Sequence, residues 1–428
     1  MHLKSCLQYL SLLCATALFF ACSDNPPMIP EAAEPKMQDS PNVSWPYQAL
    51  TDSHFKPPNL ESLDFAADLP GAAIWGALGR DNEGQIYFGL SNYNNLSDTS
   101  HLVQYDPATE TFVMQSDTIS ELKKAQRYFD NTAQIKLHSK FVMAQDGYLY
   151  FSSFDETGET DSRNPVYGGN LWRKKPEAES WEHLLATEEA LIAVQTDGRL
   201  VYALGYWGHA LYQYDPLSGQ SKREMIGSID GHVSRNFIVN QRGSVFVPRV
   251  ERSASGNVIA TLVELDNDLN ISDIHSLPDY HNPDGYGDHG IVAYTTMKNG
   301  DTYFIVASGG LYHISENASA RHNVEYLGKF DTQFENSYIS SLFSPDGEDM
   351  LVGIGRNQST EGYYWFIREL TSQVSVNYHL EQLPKTQYLL YGSQTVDNFG
   401  NLYIVGRDTR NRRKHLPIII KASYAKTN

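Results

Sequence analysis

Seven short apolar strands, each introduced by a glycine, recur along the chain at spacings of roughly 45 to 63 residues. The clearest copy is Gly147 followed by Tyr148-Leu149-Tyr150-Phe151. This spacing is close to the period of four-stranded propeller blades. The repeat therefore predicts an all-β chain, a seven-bladed β-propeller with four-stranded antiparallel blades. The repeated glycines are Gly84, Gly147, Gly198, Gly243, Gly300, Gly347 and Gly400.

The last copy has room for only three strands before the sequence reaches Asn428. A ring of sheets needs its final blade completed, so we expect residues 59–70 to return as the outer strand of that blade and to close the ring. An eight-bladed ring and a β-helix are the structural alternatives. Helices are scarce, and we expect at most short helical turns at Ile119–Arg127 and Thr187–Ile192.

Residues 1–22 are typical of a secretory signal, with Lys4, an apolar stretch and a final Ala21-Cys22. The run from Leu18 to Cys22 resembles a bacterial lipoprotein box, although Phe19 stands where Leu is usual. We expect lipidation at Cys22, which would anchor an exported protein to a membrane of the cell envelope. Cleavage to a soluble secreted protein is the alternative.

Residues 23–58 are rich in Pro, Asp, Glu, Ser and Asn and predict a flexible tether. We expect residues 59–428 to form the propeller domain.

The three cysteines, Cys6, Cys14 and Cys22, all lie in the signal segment. The mature domain therefore contains no internal disulfide, no Cys zinc site and no thiol nucleophile.

The formal charge of −18 argues against nucleic acid as a partner. It also argues against a polyanionic ligand unless a local basic pocket overrides the average. The chain has no phosphate loop, dinucleotide fingerprint or nucleophile elbow, so acid–base chemistry is the natural option. We expect a monomer.

Residues nine positions before each repeated glycine are expected to share one face of the propeller, where the innermost strands begin. They include Trp75 and His138, and Arg235 and His289 lie close by in the sequence; Tyr206 and Arg249 stand where second strands return to the same face. His138, Arg235, Arg249 and His289 together predict a ligand pocket. The structural alternative is a polar lining of a wet central channel. His209 either faces a sugar ring or packs on Trp207.

Acidic and imidazole side chains are concentrated between residues 279 and 289. A divalent metal held near His281, Asp284 and Asp288 is one interpretation, since oxygen and imidazole ligands suit such ions. The spacing matches no known loop motif, and a solvated polar loop is the simpler interpretation. We expect that no cofactor is required.

Several short motifs resemble those of secreted seven-bladed polysaccharide lyases, notably ulvan lyases of marine bacteria. They are Lys136-Leu137-His138-Ser139-Lys140, Tyr167-Gly168-Gly169-Asn170-Leu171-Trp172, Ser234-Arg235-Asn236-Phe237 with Val247-Pro248-Arg249, and Asp288-His289-Gly290. The likeness covers about residues 70 to 410 through these scattered motifs. It implies cleavage of the bond at C4 of a uronic acid by β-elimination.

Such a reaction needs a positive group on the uronate carboxylate, a base for the C5 proton and an acid for the leaving oxygen. The resemblance implies that His138 is an acid or base and that Arg249 binds the carboxylate. We also expect His289 and Tyr206 to be catalytic. The expected substrate contacts come from Arg235, His209, Asn170, Tyr294 and Trp75. Two positions depart from the pattern: Asn170 stands where a second His is expected and Val233 where a Tyr is expected. Neither can carry a proton, so Tyr206, His209, His289 or Tyr294 would have to substitute.

The leading hypothesis is a lyase acting on a uronate-containing, sulfated, ulvan-like polysaccharide. The rival is a non-catalytic propeller of the cell envelope that binds glycans or proteins. The sequence leaves open which polysaccharide is bound, whether cleavage is endo or exo, and which residue is base and which is acid.

Overall fold

The computed structural model describes residues 56–63, 71–92, 99–130, 132–155, 168–229, 231–280, 290–316, 322–331, 337–357, 362–384, 387–391, 395–411 and 415–424. These residues form seven four-stranded antiparallel sheets. In six of the sheets the four strands follow one another in sequence, and the seventh combines three C-terminal strands with the first strand of the chain. The predicted seven-bladed β-propeller is therefore confirmed.

The first strand, β1, is Asn59–Leu63. Blade 1 contains β2 (Leu78–Arg80), β3 (Ile86–Leu90), β4 (His101–Asp106) and β5 (Thr111–Asp117), followed by the helix α1 (Thr118–Lys124). Blade 2 contains β6 (Val142–Met143), β7 (Leu149–Phe154), β8 (Gly169–Lys174) and β9 (Glu182–Ala186). Blade 3 contains β10 (Leu191–Thr196), β11 (Val201–Gly205), β12 (Ala210–Asp215) and β13 (Gln220–Met225).

Blade 4 contains β14 (Ile238–Val239), β15 (Val245–Arg252), β16 (Val258–Leu265) and β17 (Ile271–Ser276). Blade 5 contains β18 (Ile291–Thr296), β19 (Thr302–Val306), β20 (Gly310–Ser315) and β21 (Asn323–Lys329). Blade 6 contains β22 (Ser337–Phe343), β23 (Met350–Asn357), β24 (Gly362–Glu369) and β25 (Ser375–Pro384). Blade 7 contains β26 (Tyr388–Tyr391), β27 (Leu402–Asp408) and β28 (Leu416–Ser423), with β1 as its outer strand.

The turn between the first and second strand is built the same way in every blade. All seven repeated glycines have a positive φ, between +67° and +98°, a conformation that costs glycine little. The first backbone N–H after each glycine donates to an Asp or Asn side chain of the turn, at 2.8–3.0 Å. Such side chains favour turns because they satisfy the local backbone. The accepting residues are Asp81, Asp146, Asp197, Asn240, Asn299, Asp346 and Asp397.

Three of these turns are also tied to the strand that follows them. Tyr87 donates its hydroxyl to Asp81, Tyr150 to Asp146 and Tyr403 to Asp397. Each tyrosine lies three residues after the repeated glycine, and its ring is buried. The abundance of tyrosine in the second strands therefore has a structural cause, because each ring fills the core and its hydroxyl has a partner.

The ring is closed by β1, which pairs antiparallel with β28 from Asn59 opposite Ser423 to Leu63 opposite Ile419. Lys421 on β28 lies 2.8 Å from Glu61 and 2.9 Å from Glu110 of blade 1. The prediction of N-terminal closure is confirmed, with Asn59–Leu63 as the paired strand; residues 64–70 lie outside the described part of the chain.

The helix prediction is half right. α1 overlaps the predicted Ile119–Arg127 region but begins one residue earlier, at Thr118. Asp117 caps the helix by accepting from the backbone N–H of Ser120 at 2.9 Å. The second predicted helical turn is wrong. Thr187 donates its hydroxyl to the carbonyl of Glu189 in a bend, and the chain then enters β10. Among the residues described, no helix is long and apolar enough to cross a membrane.

Ring closure can be tested with two truncations. Removing residues 1–63 eliminates β1 and leaves β28 as an open edge, whereas removing residues 1–55 keeps β1. We expect the shorter protein to melt about 5–10 °C lower, because several ladder hydrogen bonds are lost. Differential scanning calorimetry at one scan rate compares the two. Equal melting temperatures would show that β1 does not hold the ring closed.

Candidate functional site

A central pocket with an empty volume of about 370 Å³ lies where the innermost strands begin. Six of the seven blades contribute to it, so the pocket exists only in the closed ring. It is lined by Trp75, Gly76, His138, Lys140, Arg235, Asn236, Val292, Tyr338 and Tyr391. Three of the predicted site residues, Trp75, His138 and Arg235, are thus brought together.

His138 reaches the pocket through the alternation of the segment before β6. Its neighbours Leu137 and Ser139 are 1% exposed, and the Ser139 hydroxyl accepts from the backbone N–H of Ser152 on β7 at 3.0 Å. Alternate side chains then point toward the centre. The imidazole is stacked parallel on Phe154, with ring centroids 5.6 Å apart, and its centroid lies 5.9 Å from that of Trp75. The ring is held in one orientation between two aromatic neighbours.

Lys140 is the second polar side chain that this segment brings to the pocket. Its ammonium nitrogen lies 4.7 Å from the centre of the Tyr294 ring, in a cation–π contact. Burial lowers the pKa of Lys140 to about 7, because the charged form loses hydration. Lys140 can therefore hold or release a proton near neutral pH. The predicted residue Tyr294 lies beside the pocket through this contact.

Arg235 lies against two aromatic walls of the pocket. Its guanidinium carbon is 5.7 Å from the Trp75 ring centre and 6.0 Å from that of Tyr391. Arg407 approaches Trp75 to 5.3 Å, and Arg356 approaches Tyr338 to 5.3 Å. None of the nine residues that line the pocket is acidic. A region of positive charge with aromatic walls therefore lies at the centre of a protein whose overall charge is −18.

Arg249 and Tyr206, two of the predicted catalytic residues, are not among the residues that line this pocket. Arg249 lies on β15, and its Nε is 3.3 Å from a carboxylate oxygen of Glu251. Tyr206 is 3% exposed, and its ring meets Phe154 edge-on at 5.8 Å. Of Arg235 and Arg249, only Arg235 lines the central pocket. Tyr206 supports His138 indirectly, through the shared contact with Phe154.

His209 has a structural environment that argues against a contact with sugar. The ring is 1% exposed. Its Nδ1 lies 2.7 Å from the carbonyl oxygen of Pro248, and its Nε2 accepts from the backbone N–H of Ser234 at 3.1 Å. Burial lowers the pKa of His209 to about 4, so the ring is neutral. His209 joins blades 3 and 4 and does not face the pocket.

Asn170 belongs to a different cavity, beside blade 2. Its Oδ1 lies 3.0 Å from Nε2 of His183 on the neighbouring outer strand. His183 therefore places an imidazole next to the position where the resemblance implied a histidine. Burial lowers the pKa of His183 to about 4, and the positive charge of Arg127 lowers it further.

The remaining predictions fall on residues that the structure does not describe. They are His289, Cys22 and the proposed metal ligands His281, Asp284 and Asp288. Within the described ranges, no group of three or more His, Cys, Asp and Glu side chains is arranged to hold a metal ion.

Lys140 is the functional candidate that the sequence comparison missed. The sequence comparison considers only the position nine residues before each repeated glycine. In blade 2 that position is His138, so Lys140, two residues later, is not considered. Strand alternation is the signal that could have found it, since residues 138 and 140 share a side. A lysine in such a position is unusual, because burial of an ammonium group is costly.

A scan against protein-family models finds no match for this chain. A search of curated proteins finds none either.

Solved structures with similar folds do exist. YCF48 bound to a D1 peptide is 10% identical with a TM-score of 0.53, and the match covers 87% of this chain and 97% of that one. A fungal alcohol oxidase of the AA5 family, in complex with copper, is 9% identical with a TM-score of 0.50, covering 86% and 76%.

The extracellular domain of a putative hybrid two-component system from B. thetaiotaomicron is 12% identical, with a TM-score of 0.49. That match covers 86% of this chain, which spans 40% of the other protein's length. At these identities the comparisons show the fold alone: the chain is similar to known β-propellers.

The charge of the pocket can be tested by binding. We expect Arg235→Ala to weaken binding of ulvan by about tenfold or more, because hydrogen bonds to charged groups contribute about 1.5–3 kcal/mol. Isothermal titration at constant ionic strength measures the affinity. Arg199→Ala is the matched control, since Arg199 is exposed beside a turn glycine on the opposite face. Equal losses in both variants would indicate a non-specific charge effect.

Proposed function

We propose that this protein is a polysaccharide lyase that cleaves a uronate-containing, sulfated, ulvan-like polysaccharide by β-elimination. The observation that carries the proposal is the cationic, aromatic-walled pocket around His138, Lys140 and Arg235 in an otherwise acidic protein. Aromatic side chains pack against the faces of sugar rings, and arginine binds carboxylates with two parallel hydrogen bonds. The resemblance of the Lys136–Lys140 and Ser234–Phe237 motifs to ulvan lyases adds the reaction type.

In the proposed mechanism Arg235 binds the C6 carboxylate of the uronate. Neutralising that charge makes the C5 proton more acidic. Neutral Lys140 takes the proton; the C5–H electron pair forms the double bond between C4 and C5, and the C4–O bond breaks. His138 donates a proton to the leaving oxygen. The role of base suits Lys140, because a base with a pKa of about 7 is substantially neutral at physiological pH.

The proposed reaction uses only side chains of this chain and needs no cofactor. Arg235 supplies the positive charge that a metal ion would otherwise provide. Activity that persists in EDTA would support this assignment. Activity that is lost in EDTA and restored by Ca²⁺ would instead direct attention to residues 281–289.

The lyase hypothesis predicts turnover that depends on His138 and Lys140. Purified protein incubated with ulvan should give an unsaturated uronate product, detected by ultraviolet absorbance. We expect His138→Ala and Lys140→Met each to lower kcat by about 100-fold or more, because each removes a proton-transfer group. Circular dichroism checks that the variants are folded, and Arg199→Ala serves again as the control. A wild-type protein that releases no such product from ulvan or other uronate polymers would refute the hypothesis.

The pH profile distinguishes the base from a structural lysine. Lys140 acts as a base only when deprotonated, so kcat/KM of the wild type should rise about tenfold per pH unit below pH 7. It should fall again at the higher pH where His138, the proposed acid, loses its proton. Lys140→Met should remove this rise from whatever activity remains. A residual activity with an unchanged inflection near pH 7 would assign the base to another group.

A non-catalytic, carbohydrate-binding propeller is the second candidate. It is favoured by the placement of Arg249 and Tyr206, two implied catalytic residues that do not line the pocket. Such a protein would bind ulvan through Arg235 and yield no unsaturated product. The binding and turnover measurements together separate the two functions.

We also propose that the protein is exported and anchored through lipid on Cys22, as a monomer of the cell envelope. The support is the sequence of residues 1–22. Mass spectrometry of the mature protein should find a diacylated or triacylated N-terminal cysteine. A mature N-terminus elsewhere, without lipid, would support the secreted alternative.

A further inference from the structure

A second cavity lies beside blade 2, separate from the central pocket. Its empty volume is about 750 Å³. The walls come from the segment after α1, the start of β8 and the end of β9. β8 begins and β9 ends on the face where first strands begin, so this rim cavity opens on the same face as the central pocket.

The rim cavity combines an exposed aromatic ring with polar walls. Phe129 is 51% exposed, so its ring is accessible to a ligand. Thr132 and Gln134 line the cavity and are 5% and 1% exposed. The Thr132 hydroxyl and the Gln134 side-chain oxygen have no hydrogen-bond partner among the described residues. Buried polar groups are rarely left in that state, so the wall has unused hydrogen-bonding capacity.

Other residues around the cavity add donors and fix its shape. Arg127 is exposed at the edge, and no ion pair joins it to a described carboxylate. Asn170 lines the wall with its Oδ1 held by His183. A Cβ on Gly168 would lie 1.6 Å from the carbonyl oxygen of Thr187, so the two segments touch there without side chains between them. The wall is therefore closely packed where β8 meets the chain after β9.

We propose that the rim cavity is a second carbohydrate subsite, which binds one pyranose residue. The apolar face of the sugar packs on Phe129, and its hydroxyl groups bond to Arg127, Asn170 and the Thr132–Gln134 segment. An exposed aromatic ring beside convergent polar groups fits a sugar, which has an apolar face and a polar edge. The subsite differs from the central pocket, where the recognition elements are cations suited to a carboxylate.

The two sites are close enough to hold one chain. Gln134 lines the rim cavity and His138 lines the central pocket. Four residues of extended backbone span at most about 14 Å, so the Cα atoms of these residues lie within that distance. A short oligosaccharide spans such a gap. Simultaneous contact with both sites would raise the affinity for a polymer above that for its single sugars.

This inference rests on the proposed function in that the ligand is a carbohydrate, but its test does not require catalysis. Saturation-transfer NMR is recorded with glucose, galactose, xylose and rhamnose at millimolar concentration. At least one should show a signal with the wild type and with Arg235→Ala, and this signal should be lost with Phe129→Ala and Gln134→Leu. Affinity for ulvan should fall about 3- to 10-fold in Phe129→Ala, the range that aromatic contacts provide.

Phe399→Ala is the matched control, because Phe399 is 49% exposed and lies in a turn on the opposite face. It should behave as the wild type in both measurements. If no pyranose gives a signal, or if the signal survives Phe129→Ala, the subsite is refuted. A pyranose signal that depends on Phe129, in a protein that neither cleaves ulvan nor loses affinity for it through Arg235→Ala, would support the subsite and refute the proposed lyase.

Discussion

In every blade the first backbone N–H after the turn glycine donates to an Asp or Asn side chain, and the arrangement of the whole ring depends on this hydrogen bond. It fixes where the second strand starts and so sets the register of the hairpin. The turn face is the same seven times over, from Asp81 to Asp397. The opposite ends of the strands are then free to differ between blades, and the central pocket is built there. The repeated turns and the central pocket therefore lie on opposite faces of the ring, one strand length apart.

The proposed function requires a protein with a charge of −18 to bind an acidic ligand, and the central pocket offers local positive charge for it. Arg235 and Arg407 both lie against the ring of Trp75. Arg356 lies against Tyr338, and Lys140 lies against Tyr294. Aromatic faces stabilise cations without neutralising them. Negative charge elsewhere repels polyanions at a distance, but it is screened beyond about 10 Å in salt. At contact range the pocket decides the interaction.

Much of this architecture follows from local sequence. The repeated glycines, the Asp and Asn turn residues and the tyrosines of the second strands all act through neighbours a few residues away, so a periodic comparison finds them. The same comparison brings Trp75, His138 and Arg235 together. It fails for Arg249, which lies beside Glu251 on β15 and does not line the pocket. It also fails for His209, because its contact with Pro248 depends on how blades 3 and 4 pack. It also misses Lys140, whose chemistry arises from desolvation at the meeting point of several blades. The predictions on His289, Cys22 and the 281–289 loop stay predictions.

The pairing of β1 with β28 joins the first described strand to the last. Loop-closure entropy makes such a contact slow to form, because β1 and β28 lie at opposite ends of the described part of the chain. Blades 1 to 6 can assemble in order, but the pocket needs residues from both blade 1 and blade 7 and cannot exist until blade 7 has joined the ring. Ring closure is therefore a late step in folding. Any activity that resides in the centre of the ring is withheld until that step has occurred.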